Sequence, residues 1–368
     1  MVGKLTEHPL GMRSAPPRGR PRLVVLSAPT KAEQTAENEA LAAAAAAGIH
    51  RLPITTPFKV GDINTYLVEG DPLTLVDCGP NSGTGLDELE LGLAALGYAF
   101  SDLDLIVVTH QHQDHFGLAS AIARRSEADV ACLDLLAPVL RGWEQHSRAD
   151  DRYAVELMAR HGVDASATTA LESIGDVIRG YAAPSRVDRE LRDGQQLQMG
   201  AREFDILYRP GHSPSDTIFF DPDSQITLCG DHLLSKISSN AIICRPLHRD
   251  WDGRRPKPLL EYRSSMLATR ALDIEIALGG HGGPVIDHRA LIDKRVKGQD
   301  RRASKLLDLL ADGPLSGHAL ANAMFGEIAV TQAYLSLSEI LGHLDLLIAD
   351  GLIEEDDSGE TIVFAQVP

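Results

Sequence analysis

The run Thr109-His110-Gln111-His112-Gln113-Asp114-His115 constrains this chain more than any other feature. It sets three imidazoles and a carboxylate within six residues, immediately after the apolar segment Leu103-Asp104-Leu105-Ile106-Val107-Val108. Such a segment ahead of a polar turn reads as a buried strand feeding a loop. Residues 110 and 112 alternate, so both can project from the strand's end, while Asp114 and His115 turn toward a second position as a helix begins. Two cations can then share one short stretch of backbone. Imidazole nitrogen and carboxylate oxygen suit zinc, manganese or iron without any cysteine. One histidine here would read as part of a solvated loop; four potential ligands in HxHxDH order do not.

A centre of this kind needs further ligands from elsewhere, and the chain offers them in order. Pro210-Gly211-His212-Ser213 follows the strand-like Phe204-Asp205-Ile206-Leu207-Tyr208, and Cys229-Gly230-Asp231-His232 follows Ile226-Thr227-Leu228. Gly279-Gly280-His281-Gly282-Gly283-Pro284 follows Ile274-Glu275-Ile276-Ala277-Leu278. Each candidate sits where a strand gives way to a turn, the place where α/β folds carry their chemistry.

Together these segments resemble the metallo-β-lactamase superfamily, in particular its glyoxalase II-like dinuclear hydrolases. The resemblance implies an α/β fold, an αββα sandwich. It also implies that His110, His112 and His212 hold one metal, that Asp114, His115 and His281 hold the other, and that Asp231 bridges them. Asp77, in Leu75-Val76-Asp77-Cys78-Gly79, matches an early aspartate that orients a ligand imidazole. Two divalent ions, zinc by expectation with iron or manganese as alternatives, would with Asp114, Asp231 and one hydroxide leave a surplus of about one positive charge. The expected chemistry is attack by a metal-bound hydroxide on a small thioester, lactone or acyl ester, with Asp114 orienting the attacking group and taking up its proton. No G-x-S-x-G elbow suggests a protein nucleophile. Lactamases with a cysteine ligand place it where this chain has Asp231 and generally lack a counterpart to His115, so antibiotic hydrolysis is not expected. His232, next to Asp231, should point away from the metals. Cys229 reads as a small buried apolar residue.

The pattern along the chain predicts an N-terminal leader and Ala-rich helix over 1–45, a catalytic domain over 46–295 and a small domain over 296–368. The Ala-rich helix should start near Thr35 or Asn38 and end at Gly48. The 97 residues separating His115 from His212 (212 minus 115) exceed a plain glyoxalase-type connection and predict a helical insertion at about 135–186, a cap over the pocket or an outer layer. Past His281, the expected helices Arg301 to Ala311, Leu315 to Phe325 and Thr331 to Leu347 precede a hairpin of Gly351-Leu352-Ile353 and Thr361-Ile362-Val363-Phe364. Three helices and a hairpin describe a winged-helix module.

Charge bears on its partners. From Asp300 onward three basic residues (Arg301, Arg302, Lys305) stand against twelve acidic ones, and the whole chain carries a formal net charge of -17. Nucleic-acid affinity comes chiefly from phosphate neutralisation, so a wing without Lys or Arg argues against DNA or RNA. The module is expected to pack on the catalytic domain, close the pocket or support a homodimer. Small-molecule contacts are expected after Asp231, with Lys236, Asn240 and Arg245 as candidates among His232, Ser238, His248 and Arg249. Four cysteines without paired spacing fit a reducing cytoplasm, and no stretch is long and apolar enough to span a bilayer. Three other readings share some of these features: a phosphodiesterase or endoribonuclease with the same centre, a mononuclear iron thiol-persulfide dioxygenase, and a winged-helix regulator with an inert fold attached.

Overall fold

The computed structural model describes residues 30–248, 250–326 and 332–367, so the expected leader, Arg249 and Thr331 lie outside the described residues. The described residues open with α1 (Lys31–Ala46), which leads into β1 (Ile49–Ile54), β2 (Ile63–Val68) and β3 (Thr74–Val76). After α2 (Gly83–Ala95) come β4 (Leu105–Val108), α3 (Gln113–Phe116), α4 (Ala119–Ser126) and β5 (Asp129–Leu133). The insertion, α5 (Ala137–Arg141), α6 (Trp143–Arg160) and α7 (Ala165–Arg179), precedes β6 (Arg189–Leu191). These six strands form one sheet in sequence order, antiparallel from β1 to β3 and parallel from β3 to β6.

The second sheet is built from β7 (Gln196–Met199), β8 (Arg202–Tyr208), β9 (Thr217–Asp221), β10 (Ile226–Gly230) and β11 (Ile276–Gly279), with α8 (Pro258–Arg270) crossing between its parallel pair, β10 and β11. Beyond it lie α9 (His288–Leu309), β12 (Leu315–Ser316), α10 (Gly317–Phe325), α11 (Ala333–Ala349), β13 (Ile353–Asp356) and β14 (Val363–Gln366). The last three strands form a small sheet with β14 in the centre.

Strand periodicity decides the layers. On β4, Leu105 and Val107 enter the core between the sheets with Phe204, Phe219 and Leu278, whereas Ile106 faces Leu89 and Leu93 of α2 and Ile122 of α4. On the far side, Ile218 and Phe220 of β9 meet Leu259 of α8, Ile292 of α9 and Ile340 of α11. Helices therefore cover both outer faces of two stacked sheets, an αββα sandwich. Completely buried residues such as Leu89, Leu93 and Phe219 each contribute about 1.5–3 kcal/mol relative to exposure.

Several boundaries differ from the sequence reading: the expected helix from Leu315 begins at Gly317, because Leu315 and Ser316 pair with β14 as β12, and the expected hairpin strand 351–353 runs over Ile353–Asp356. α1 begins at Lys31, ahead of Thr35 and Asn38, because Thr30 caps it: the Glu33 amide donates to Thr30 Oγ1 and the Thr30 amide donates to Glu33 Oε2 at 2.7 Å. α9 is one continuous helix from His288 that runs through Gly298, well ahead of the expected start at Arg301. Ile292, Gln299, Ala303 and Leu306 form its buried stripe, and that tertiary contact outweighs the roughly 1 kcal/mol cost of a mid-helix glycine. The expected 295/296 division falls inside this helix, and the cluster it joins runs unbroken from β9 to Phe364 of β14.

Candidate metal centre

All seven candidate ligands converge at one rim of the sandwich. His110 and His112 leave the end of β4, Asp114 and His115 lie on α3, His212 follows β8, Asp231 follows β10, and His281 follows β11. They form two groups, His110 with His112, His212 and Asp231, and Asp114 with His115 and His281; within each, every ligand atom lies within 4.8 Å of the others. His112 Nδ1 stands 3.0 Å from His110 Nε2 and 3.0 Å from His212 Nε2. Imidazoles holding an ion at about 2.1 Å in tetrahedral geometry keep their nitrogens about 3.4 Å apart; these two separations are somewhat shorter, and every ligand atom of the group is close enough to share one cation.

Asp231 faces both groups. Its Oδ1 is 3.4 Å from His115 Nε2, and its Oδ2 is 3.6 Å from both His212 Nε2 and His281 Nε2. His281 Nε2 also lies 3.3 Å from Asp114 Oδ2. Yet His115 Nε2, His281 Nε2 and Asp231 Oδ1 are buried without any hydrogen-bond partner. Unpaired buried polar atoms are costly, and three aimed at a shared centre fit a divalent cation. The donors are nitrogen and oxygen only, which matches borderline and hard divalent ions.

Hydrogen bonds on the far side of His110, His115, His212 and His281 fix which nitrogen of each faces the centre. Asp77, at φ 57°, turns its carboxylate back under β4, a left-handed conformation that Asp tolerates. There it accepts from His115 Nδ1 at 2.7 Å and from the Thr109 amide and hydroxyl, both at 2.9 Å. With its hydroxyl proton committed to Asp77, Thr109 Oγ1 accepts from His110 Nδ1 at 3.0 Å, so one buried aspartate supports a ring in each group. His212 Nδ1 donates to the Asn240 carbonyl at 2.9 Å, and His281 Nδ1 to the Asp62 carbonyl at 2.8 Å.

Electrostatics follow the same division. Burial pushes His110 well below the usual imidazole range and His112 down to about 3, so both stay neutral, the form that binds metal. Burial also disfavours charge on His115, but Asp231 and Asp77 outweigh it and raise that group. Asp231 moves the other way: burial opposes its ionisation, and His115, His281 and His212 more than offset it, holding the carboxyl well below its usual range.

Other expected residues find different partners. His232 is buried with Nε2 2.9 Å from Thr269 Oγ1, turned away from the centre, and Cys229 is buried in the outer core. Ser213 Oγ donates to Asp216 at 2.8 Å, and Ser215 bonds Gln111. Lys236 pairs with Glu37 of α1 at 3.2 Å, and Arg245 pairs with Asp150 of α6 at 2.8 Å. Asn240 donates its side-chain amide to the Leu335 carbonyl of α11 at 3.0 Å.

Sequence reasoning overlooked Asn64 and Tyr66 of β2, which hold the glycine-rich loop around His281. Asn64 Nδ2 donates to the Gly279 and Gly282 carbonyls at 2.9 Å, and the Tyr66 hydroxyl donates to Gly279 at 2.8 Å. An asparagine inside an otherwise apolar strand was the available signal. Gly280 was also overlooked as a residue in its own right: a Cβ there would lie 2.5 Å from Asp231 Oδ1 and 2.6 Å from His115 Cε1.

Fold and site together define a metal-dependent hydrolase. The chain belongs to the metallo-beta-lactamase superfamily, whose family model matches residues 58–281. It is 32% identical over 311 residues, covering 84% of this chain and 95% of the relative, to the probable metallo-hydrolase YqjP of Bacillus subtilis (strain 168). A crystal structure of a metallo-beta-lactamase family protein from Thermus thermophilus superposes with TM-score 0.72 at 27% identity, covering 87% of this chain and 99% of that one. A 51-residue stretch, 14% of this chain and 20% of the relative, is 33% identical to hydroxyacylglutathione hydrolase of Legionella pneumophila.

Proposed function

We propose that this protein is a dinuclear hydrolase of the glyoxalase II-like branch, acting on a small thioester, lactone or acyl ester. The observation that carries the reading is the buried pair of ligand groups sharing Asp231. In it, His110, His112 and His212 would hold one ion and Asp114, His115 and His281 the other, with Asp231 the residue that would serve both; zinc would fit the donor set best. Bound there, the ions supply a Lewis acid for the developing oxyanion and lower the pKa of water toward neutrality.

The protein groups supply orientation and proton transfer. Asp114 is ionised: burial opposes this, but the His281 and His115 imidazoles beside it prevail and hold its carboxyl below the usual range. It therefore orients the attacking water and accepts a proton as oxygen bonds to the acyl carbon, and the thiolate or alkoxide departs when the carbonyl re-forms. A hollow of about 300 Å³ shares Gly211 and Ser213 with the His212 loop and is walled by Pro210, Pro214, Ile242 and Leu247. The tail, read as a winged-helix module, is strongly acidic, which supports a small-molecule substrate over nucleic acid, in a cytoplasmic setting. Among the described residues no helix is long and apolar enough to cross a membrane.

The test combines metal analysis of the purified protein with hydrolysis screens on thioesters, lactones and bis-nitrophenyl phosphate. Two ions per chain and turnover of an acyl substrate are expected. Asp231→Ala should lose the bridged pair and nearly all turnover; two retained metals with full activity would refute the bridge. Preference for the phosphodiester, or oxygen consumption with one iron, would replace the acyl reading.

A further inference from the structure

The residues after Asp231 reach back to the proposed centre at two points. Ser239 Oγ donates to the Asp231 carbonyl, closing a loop on the bridging residue, and the Asn240 carbonyl accepts from His212 Nδ1 at 2.9 Å. Residues 232–257 contain no helix or strand among the described residues, and the Ile242 amide donates to the His212 carbonyl at 3.4 Å. Further anchors for this segment come from the C-terminal helices.

Arg295 of α9 donates to the Ile237 carbonyl at 2.7 Å and the Leu234 carbonyl at 3.2 Å, and pairs with no carboxylate among the described residues. From α11, the Leu335 carbonyl accepts the Asn240 amide at 3.0 Å, Ser338 Oγ accepts the Ile243 amide at 3.4 Å, and the Tyr334 hydroxyl donates to the Ile243 carbonyl. α11 is in turn fixed by a bidentate pair between Arg255 and Asp345, at 2.8 and 2.7 Å, in which Asp345 is fully buried. Each of these bonds spans more than 50 residues of sequence, so none forms until the tail has docked.

We infer that the C-terminal helices are a positioning device for the metal centre: α9 and α11 clamp residues 234–243, and the clamped segment sets the rotation of His212 and the backbone of Asp231. Asn240, Tyr334, Ser338 and Arg295 are positioning residues and touch no substrate. The inference rests on His212 and Asp231 being ligands, and it gives the tail a task besides covering the sheet. Partners that orient a metal-bound histidine typically change metal affinity about 10- to 100-fold when removed. The clamp lies one bond further out, so the lower end of that range applies.

The test measures affinity for Zn2+ by chelator competition, and the visible absorption of the Co2+-loaded protein, in the full chain. The Asn240→Ala/Tyr334→Phe double variant should bind its weaker ion about tenfold less tightly and show altered Co2+ bands, the sign of a reoriented imidazole. Phe364→Leu, in the core of the tail and away from the clamp, should lower the melting temperature while leaving affinity and spectrum unchanged. Equal affinity in the double variant and the parent overturns the inference, and so does an equal loss in Phe364→Leu, which would reduce the effect to general destabilisation. Should the double variant not fold, Tyr334→Phe and Ser338→Ala, each removing one hydroxyl, are read by the same criteria. A parent that binds no metal overturns the proposed function itself, an outcome distinct from a parent that binds two ions indifferent to the clamp.

Discussion

Asp77 illustrates how much a buried residue does without touching the reaction. It accepts directly from His115 and, through Thr109, supports His110. Asp77→Asn keeps the volume but puts a donor where acceptors are needed, and should weaken metal binding about 10- to 100-fold, measured by chelator competition. Unchanged affinity would remove Asp77 from the support of the rings. Gly280→Ala should be as damaging for a steric reason, since the added methyl meets Asp231 and His115 through no backbone strain of its own. Its expected signature is loss of bound metal with the secondary structure intact by circular dichroism; full metal content would show that the loop yields. At this scale the histidines and aspartates were legible because metal chemistry demands specific side chains. Asn64, Tyr66 and Gly280 were not, because their work depends on which loop lies across from β2.

Elements add the acid behaviour. His161, at the end of α6, is completely buried against Phe364 of β14, stacked at 5.9 Å, and neither ring nitrogen has a hydrogen-bond partner. Burial pushes it down to about 3, and burial does the same to His232. Both take up a proton near pH 6.5 when unfolded but resist it when folded. The unfolded state therefore binds more protons between about pH 6.5 and 3, and stability is lost as pH falls through that window, by up to about 1.4 kcal/mol per pH unit for each histidine. His161→Phe should flatten this acid limb by one such slope in urea titrations at pH 6, 5 and 4 of the chelator-treated protein. Parallel curves for parent and variant would mean that His161 protonates freely in place. The same contact explains why α6, in the insertion, could not be assigned a partner from its own pattern: its apolar stripe shows that it packs, not on what.

Across the whole molecule, one apolar cluster joins β9, α8 and α9 to Leu320 of α10, Leu337 and Ile340 of α11, and Phe364. A chain ending at Leu309 would keep α8 and α9 but uncover the apolar surface they share with α10, α11 and β14, and is expected to aggregate or unfold, judged by size-exclusion and thermal melting. A monomeric fragment with the parent's melting temperature would mean that the tail is a separate unit. By itself the sequence determined which residues are candidate ligands, the strand-and-turn placement of each, the layered α/β plan and the acidic character of the tail, because side-chain type, period and charge are local properties. Only the tertiary structure decided that Gly298 stays inside α9, that Lys236 and Arg245 spend their charge on Glu37 and Asp150, and that α11 reaches the support of His212. Those outcomes depend on contacts between residues far apart in sequence, where packing and pairing of the assembled chain override what any local stretch prefers.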